Sequence, residues 1–544
     1  MSAAPVGRPG AAGGGPVLYR GVRAWARPPA GGAGPTRPVE ALLIDRSAIV
    51  WAGSLSEASE LAAPTIVEAH GAVALPAFVD AHAHVTETGR ALASLDVSGV
   101  EGAAGLLEAV RREAAALPPG ARILGHGWDE SLWADPRLPS PGELERASGG
   151  REVFLSRIDV HAGLASAGLL ARAGVSADGV LDEAAHAAVR ALGTRTDAEQ
   201  ARAYQLAALE HFAATGHAAM TEMAAPHVSG ADDLRGLLAL AAEAEAGDRV
   251  EVVAYWAQLV AHPHEAIAAM AEWGGRLAGL GGDLSIDGSI GARTAALRAP
   301  YADAARGSGE LLLAAEAIAA HLSACTRAGV QAAFHVIGDA GVDAALEGLR
   351  LAAADLGGAR LAAGRHRLEH VEGIDAGGAA ALANYGVCAS VQPRFDELWG
   401  FPGGLYEQRL GPDRALALNP FATLARAGVP LAFGSDTPVT GARPWRSVAA
   451  ALRHHHEGER LGVEAAFAAH TVGGRAAALR PGTASSPGTL VVGTQADLAL
   501  WRAPDVEHRA ASGTGPAATL AALAAADERH SLLTLRAGVP IHGA

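Results

Sequence analysis

Between about residues 77 and 480, short apolar runs alternate with longer Ala-, Leu-, Glu- and Arg-rich stretches of helical period, as where LAAEAIAAHLSACTRAG leads into VQAAFHVIGD. Parallel strands need a crossover long enough to hold a helix, so this alternation predicts a parallel α/β architecture. Eight runs qualify as strands: PAFVDAHAH (76–84), HAAMTEM (217–223), VEVVAYW (250–256), DLSID (283–287), QAAFHV (331–336), RHRLEHV (365–371), VCASVQP (387–393) and PLAFGSD (430–436). Together they predict a (β/α)8 TIM-like barrel over 77–484. Residues about 95–215 are too many for one loop and contain VFLSRIDV, a further strand candidate, so they predict an inserted lid subdomain over the barrel mouth.

Both ends of the chain read differently. VLYRGVRAW (17–25), VEALLIDRSAIVWAG (39–53), GTLVVGTQADLALW (488–501) and HSLLTLRAGVPI (530–541) look like short strands separated by turns. Neither end alone makes a stable sheet, which predicts one composite β-sandwich domain from residues 17–76 plus 485–544. The Gly/Ala/Pro-rich residues 1–16 read as a disordered leader.

Composition excludes several function classes. The chain has 544 residues and a net charge of −15, without an Arg-rich cluster large enough to neutralise phosphates, so no nucleic-acid partner is expected. All 43 Lys+Arg residues are Arg, which removes Schiff-base and P-loop lysine chemistry. The charge-free stretch Ala376–Pro393 holds Asn384, Gln392, Pro393 and three glycines, so it does not read as a membrane span. Two cysteines, Cys325 and Cys388, cannot build a disulfide framework and fit a reducing, cytoplasmic setting as buried small hydrophobes. The oligomeric state stays open, a homodimer included.

Three His-x-His pairs occur, against about 0.9 expected by chance from 22 histidines in 544 residues. His262/His264 flank a proline and His454/His456 lie in an HHH run, and both read as solvated surface tracts. His82/His84 end a strand on which Val79, Ala81, Ala83 and Val85 alternate with Asp80, His82 and His84, placing the polar set on one face. A similar split recurs with His335 between Phe334 and Val336, with Asp436 after Leu431 and Phe433, and with His370 at the end of RHRLEH. Imidazoles and a carboxylate at four strand ends on the C-terminal barrel face make a divalent-metal site of the zinc type, with room for a water.

These segments resemble the amidohydrolase superfamily, and within it the family-3 group that includes the N-substituted formamide deformylases. The resemblance rests on LPAFVDAHAH, DGSIGARTAAL followed by PYAD, FHVIGDA, RLEHVE, FGSDTPV and PGTLVVGTQADLALW, and covers nearly the whole chain. It implies hydrolysis of carbon–nitrogen bonds of a small molecule, with metal ligands at His82, His84, His335, His370 and Asp436. Many two-metal members carry a carboxylated lysine on the fourth strand; the matching position here is Asp283, and the chain has no lysine. One zinc ion is therefore favoured and two stay open, with Asp283 and Glu222 the candidate substitutes. Asp436 is the expected proton acceptor, and His370 would hold the water or polarise the carbonyl. A deaminase, esterase or lactonase reaction at the same site, or a catalytically silent metal-binding homologue, stays open.

Substrate contacts are expected from the insertion and the loops. GHGWDESLW groups Trp128 and Asp129, RIDVH groups Arg157, Asp159 and His161, and Arg293 follows the fourth strand. A lid with its own aromatic core and an internal Arg–Asp pair explains the first two groups equally well.

Overall fold

The described residues of the computed structural model are 15–27, 36–61, 65–160, 162–181, 183–243, 248–304, 307–478, 489–502, 515–527 and 530–543. Of the expected leader only Gly15 and Pro16 fall among them.

Eight parallel strands pair in sequence order to form the barrel. Seven lie at the expected apolar runs: Phe78–Ala83, His217–Ala224, Glu251–Trp256, Gln331–Val336, Arg367–His370, Cys388–Val391 and Leu431–Phe433. The fourth strand differs. It is Leu277–Leu280, and DLSID is the loop after it, joined to the fifth strand by one isolated bridge between Ser285 and His335. Two glycines end the true strand early: Gly281 and Gly282 have φ of +118° and +83°, and a Cβ at Gly281 would collide with the Ala333 carbonyl. The short, small-residue run LAGL carries too weak an apolar signal to mark a strand.

A seam between the first and last strands brings the barrel close to a ring. The Asp436 N–H donates to the His82 carbonyl at 2.8 Å and the His84 N–H to the Thr437 carbonyl at 3.1 Å. The Asp80 carboxylate also accepts the Ser435 N–H at 2.9 Å. Phe78 anchors the start of the first strand, edge-on to Trp445 at 5.1 Å, Phe467 at 5.3 Å and Trp501 at 5.9 Å between ring centroids.

Trp501 belongs to a second sheet, of nine strands, drawn from both ends of the chain. Its order is Val539–His542, Leu533–Arg536, Leu498–Trp501, Val73–Pro76, Val17–Arg27, Arg37–Asp45, Ala48–Gly53, with Leu490–Val491 and Thr65–Glu68 also paired to Val17–Arg27. A third sheet lies within the insertion: Gly163–Ala165, Val153–Arg157, Ile123–Trp128 and Leu95–Asp96. Its core includes Trp128, Trp133, Leu106 and Leu155.

The HHH run is not a solvated tract. It lies past the end of helix Pro444–Arg453; His454 is buried edge-on to Phe421, and Asp396 accepts from the His455 ring at 3.0 Å. His262 and His264 are exposed and stacked on each other. Cys325 and Cys388 are free and buried. No helix among the described residues is long and apolar enough to cross a membrane.

Candidate active site

Simple strand alternation does not produce the site. Opposite Met220 and Glu222 the pairing register slips between Asp80 and Ala83, so one extra residue enters the first strand. Ala81 consequently packs with Cys388, Ala432 and Ala477, whereas Ala83 joins Leu209 and Phe212 of the helix outside the barrel. The expected common face for Val79, Ala81, Ala83 and Val85 is thus broken. The irregularity spans His82, immediately before His84, and lets both histidines reach the mouth. Backbone conformation does the same for two other candidates. His370 and Asp436 have φ of +69° and +53°, in the left-handed region that ordinary residues rarely adopt. Continued alternation after Glu369 would send His370 to the opposite face; its positive φ instead brings the ring to 4.9 Å from His82 and 4.6 Å from His335.

Five side chains with metal-binding chemistry, besides Asp283's own, therefore meet at the C-terminal end of the barrel. Three overlapping groups have donor atoms within 4.8 Å of one another: His82, His84 and Asp283; His82, His370 and Asp436; Asp283, His335 and His370. His84 Nε2 lies 3.3 Å from both Asp283 Oδ2 and Asp436 Oδ1. His82 Nε2 lies 3.4 Å from Asp283 Oδ1 and 3.5 Å from Asp436 Oδ1. Asp283 takes this place from the loop after the fourth strand. Glu222 stays outside the groups: its carboxylate accepts the Val85 N–H at 2.6 Å and caps the helix Val85–Leu92.

Two partners missed from the sequence orient the imidazoles. His82 Nδ1 donates to Glu369 Oε2 at 3.0 Å, and Arg367 grips that carboxylate through Nε at 2.6 Å and Nη2 at 2.9 Å. His370 Nδ1 donates to Gln392 Oε1 at 2.8 Å. With Nδ1 protonated, the lone pair of each neutral ring is left on Nε2, the tautomer a metal ligand needs. An acidic residue inside the buried run RLEH was the available signal for Glu369, since an unpaired carboxylate does not survive there. His335 Nε2 contacts the Gly288 carbonyl at 3.3 Å.

The field at these donors favours positive charge. Burial alone would lower the pKa of His84, but Asp283 and Asp436 outweigh it and raise it to about 10. Burial would raise the Asp436 carboxyl, and His82, His84 and His370 more than offset it, holding it well below the usual carboxylate range. Glu369 is likewise pushed up by burial and brought down to about 2 by Arg367 and His82. A divalent cation fits this donor set on a second count: the buried His82 Nε2 faces two carboxylates without a hydrogen bond among the described residues.

A cavity of about 620 Å³ opens above the donors. Phe395, Trp399 and Tyr406 line one side, and Phe395 stacks on His370 at 5.9 Å. Helix Glu183–Gly193 of the insertion lines the other through His186, Arg190 and Ala191. Of the expected substrate contacts only Asp159 lines the cavity among the described residues. Trp128 is fully buried in the insertion core and donates to the Leu155 carbonyl. Asp129 and Asp159 both pair with buried Arg157, the latter at 2.8 Å, so that group holds the insertion together. Arg293 forks onto Asp303 at 3.0 and 2.7 Å. His161 lies outside the described residues.

Residues 65–542 match the amidohydrolase family, and the chain belongs to it. It is 25% identical over 454 residues to YtcJ of Bacillus subtilis, covering 78% of this chain and 82% of that one. Over 142 residues, about a quarter of each chain, it is 29% identical to the N-substituted formamide deformylase of Arthrobacter pascens. The crystal structure of an uncharacterized metal-dependent hydrolase from Pyrococcus furiosus superposes with a TM-score of 0.67 at 26% identity, over 89% of this chain and 98% of that one. The protein is a hydrolase of this family.

His82→Ala combined with His84→Ala should remove divalent-metal binding, while the same pair of changes at the exposed His262 and His264 should leave it intact. Metal content after dialysis checks this, and equal loss from both variants would contradict the assignment.

Proposed function

We propose that the chain is a metal-dependent hydrolase of carbon–nitrogen bonds, acting on a non-peptide amide of a small molecule. The convergence of His84, His335, His370, Asp283 and Asp436 at the floor of one cavity, with His82 buried against them, carries the reading. Membership of the amidohydrolase family and the local likeness to a formamide deformylase support the bond type. Imidazole and carboxylate donors without thiolates suit zinc.

When bound, such a cation lowers the pKa of a coordinated water from 15.7 to about 7. The protein's own groups manage the remaining steps. Asp436, held ionised by the surrounding histidines, accepts the proton of the attacking water and returns it to the leaving nitrogen. Glu369 keeps the His82 ring in one tautomer, and Gln392 does so for His370. The aromatic wall of Phe395, Trp399 and Tyr406 limits bulk water beside the scissile bond and offers apolar surface to the acyl or amine substituent.

Asp436→Asn should lower kcat on a panel of N-formyl and N-acyl amines by about a hundredfold or more, because an amide cannot take the water's proton at neutral pH. Near wild-type kcat in a metal-loaded variant would refute the assignment. Wild-type turnover of esters or lactones with none on amides would overturn the bond type, and turnover of amino-substituted rings alone would overturn the amide.

One ion is the favoured count, because the lysine that would supply a carbamate bridge is absent from the chain. A specific observation keeps a second reading: Asp283 belongs to the His82/His84 group and to the His335/His370 group, as a bridging carboxylate would. Anomalous scattering from metal-loaded crystals decides between them. One peak is expected; two peaks roughly 3.5–4 Å apart would end the one-ion reading.

A further inference from the structure

The wall of the cavity away from the donors carries unbalanced positive charge. His84, Glu87 and Arg90 recur every three residues along the start of helix Val85–Leu92 and so share a face. At 1.5 Å of rise per residue, Arg90 sits roughly 9 Å beyond His84 along the helix. All three line the cavity, as do Arg190 and Arg195 from the insertion. Glu87 is the shared counter-ion: Arg90 Nη1 binds it at 2.8 Å and Arg190 Nη2 at 3.1 Å. One carboxylate thus serves two guanidinium groups.

Two observations show that this is more than a latch between insertion and barrel. Arg90 is more than nine-tenths buried, yet its Nε has no hydrogen-bond partner among the described residues. Arg195, just past the end of helix Glu183–Gly193, is exposed on the cavity and forms no ion pair with any described residue. Of the other acidic groups in the lining, Asp159 is committed to Arg157 at 2.8 Å and Glu372 accepts the Tyr406 hydroxyl at 2.5 Å. Asp283 and Asp436 are engaged with His82 and His84 at the other end.

We propose that Arg90, Arg190 and Arg195 form a carboxylate-recognition site, so that the substrate is an amide whose far end carries a carboxylate, held roughly 6 to 9 Å from the bond to be cleaved. The inference rests on the reading that the His82 to Asp436 end is where the reaction occurs. Arginine forks match a carboxylate in two parallel hydrogen bonds, and a partly buried pair of this kind discriminates strongly against neutral isosteres. Glu87 leaves one positive charge of the Arg90 and Arg190 pair uncompensated, Arg195 adds a second, and the helix that carries Arg190 lines the cavity beside the ligand's tail.

Two uncleavable methyl ketones of equal length test the site by calorimetry on the holoenzyme: 8-oxononanoate, which spans roughly 8 Å between its functional carbons, and the neutral 9-hydroxynonan-2-one. The carboxylate should bind at least about tenfold more tightly, and Arg195→Gln should bring the two within about twofold, with Arg195→Lys intermediate. Equal affinities in the wild type, no binding of either ketone, or a preference undiminished in Arg195→Gln would overturn the proposal. Formate release from 6-formamidohexanoate reads the reaction separately. A binding preference without release on any amide removes the carbon–nitrogen reading and leaves the anion site standing, whereas release without a preference does the reverse.

Discussion

Three hydrogen bonds across the barrel seam set up everything at the mouth. The His82 carbonyl accepts the Asp436 N–H, the Thr437 carbonyl accepts the His84 N–H, and Asp80 accepts the Ser435 N–H. Residues more than 350 positions apart in the chain thereby become neighbours, and Asp436 reaches both histidines of the first strand. Without that seam the eighth strand would be a free edge, and its carboxylate would face water rather than imidazole.

The second requirement is tautomeric. A buried histidine offers the Nε2 lone pair toward the cavity only if its Nδ1 carries the proton and finds an acceptor for it. Glu369 accepts that hydrogen bond from His82, and Arg367 makes a fully buried carboxylate tolerable by pairing with it. Gln392 performs the same service for His370 without charge. Orientation of the donors and the electrostatic cost of burying them are thus handled by one set of contacts around the barrel interior.

Much of the barrel was legible in the sequence, because strands buried on both faces are short, apolar and separated by long helical stretches. Seven strands fell at the expected runs, and LAGL escaped because two glycines cut it short and its small residues barely raise the local hydrophobicity. At the site, residue type was informative and strand parity was not. His82, His84, His335, His370 and Asp436 do converge, but a register slip in the first strand and positive φ at His370 and Asp436 bring them together. No period-two pattern encodes either feature. Asp283 reaches the site from a loop rather than from a strand face. The contacts expected from the insertion went astray for a different reason: Trp128, Asp129 and Arg157 are conspicuous residue types used for the insertion's own core, while its cavity face includes the Ala-rich helix Glu183–Gly193 with His186 and Arg190.

The account depends on that donor set holding a divalent cation in the protein as it is made. Elemental analysis of protein purified without added metal tests this most directly. The prediction is close to one equivalent of a divalent transition metal per chain, with zinc the main species. Less than about a tenth of an equivalent, with no activity gained on adding Zn, Mn, Fe or Co, would contradict it.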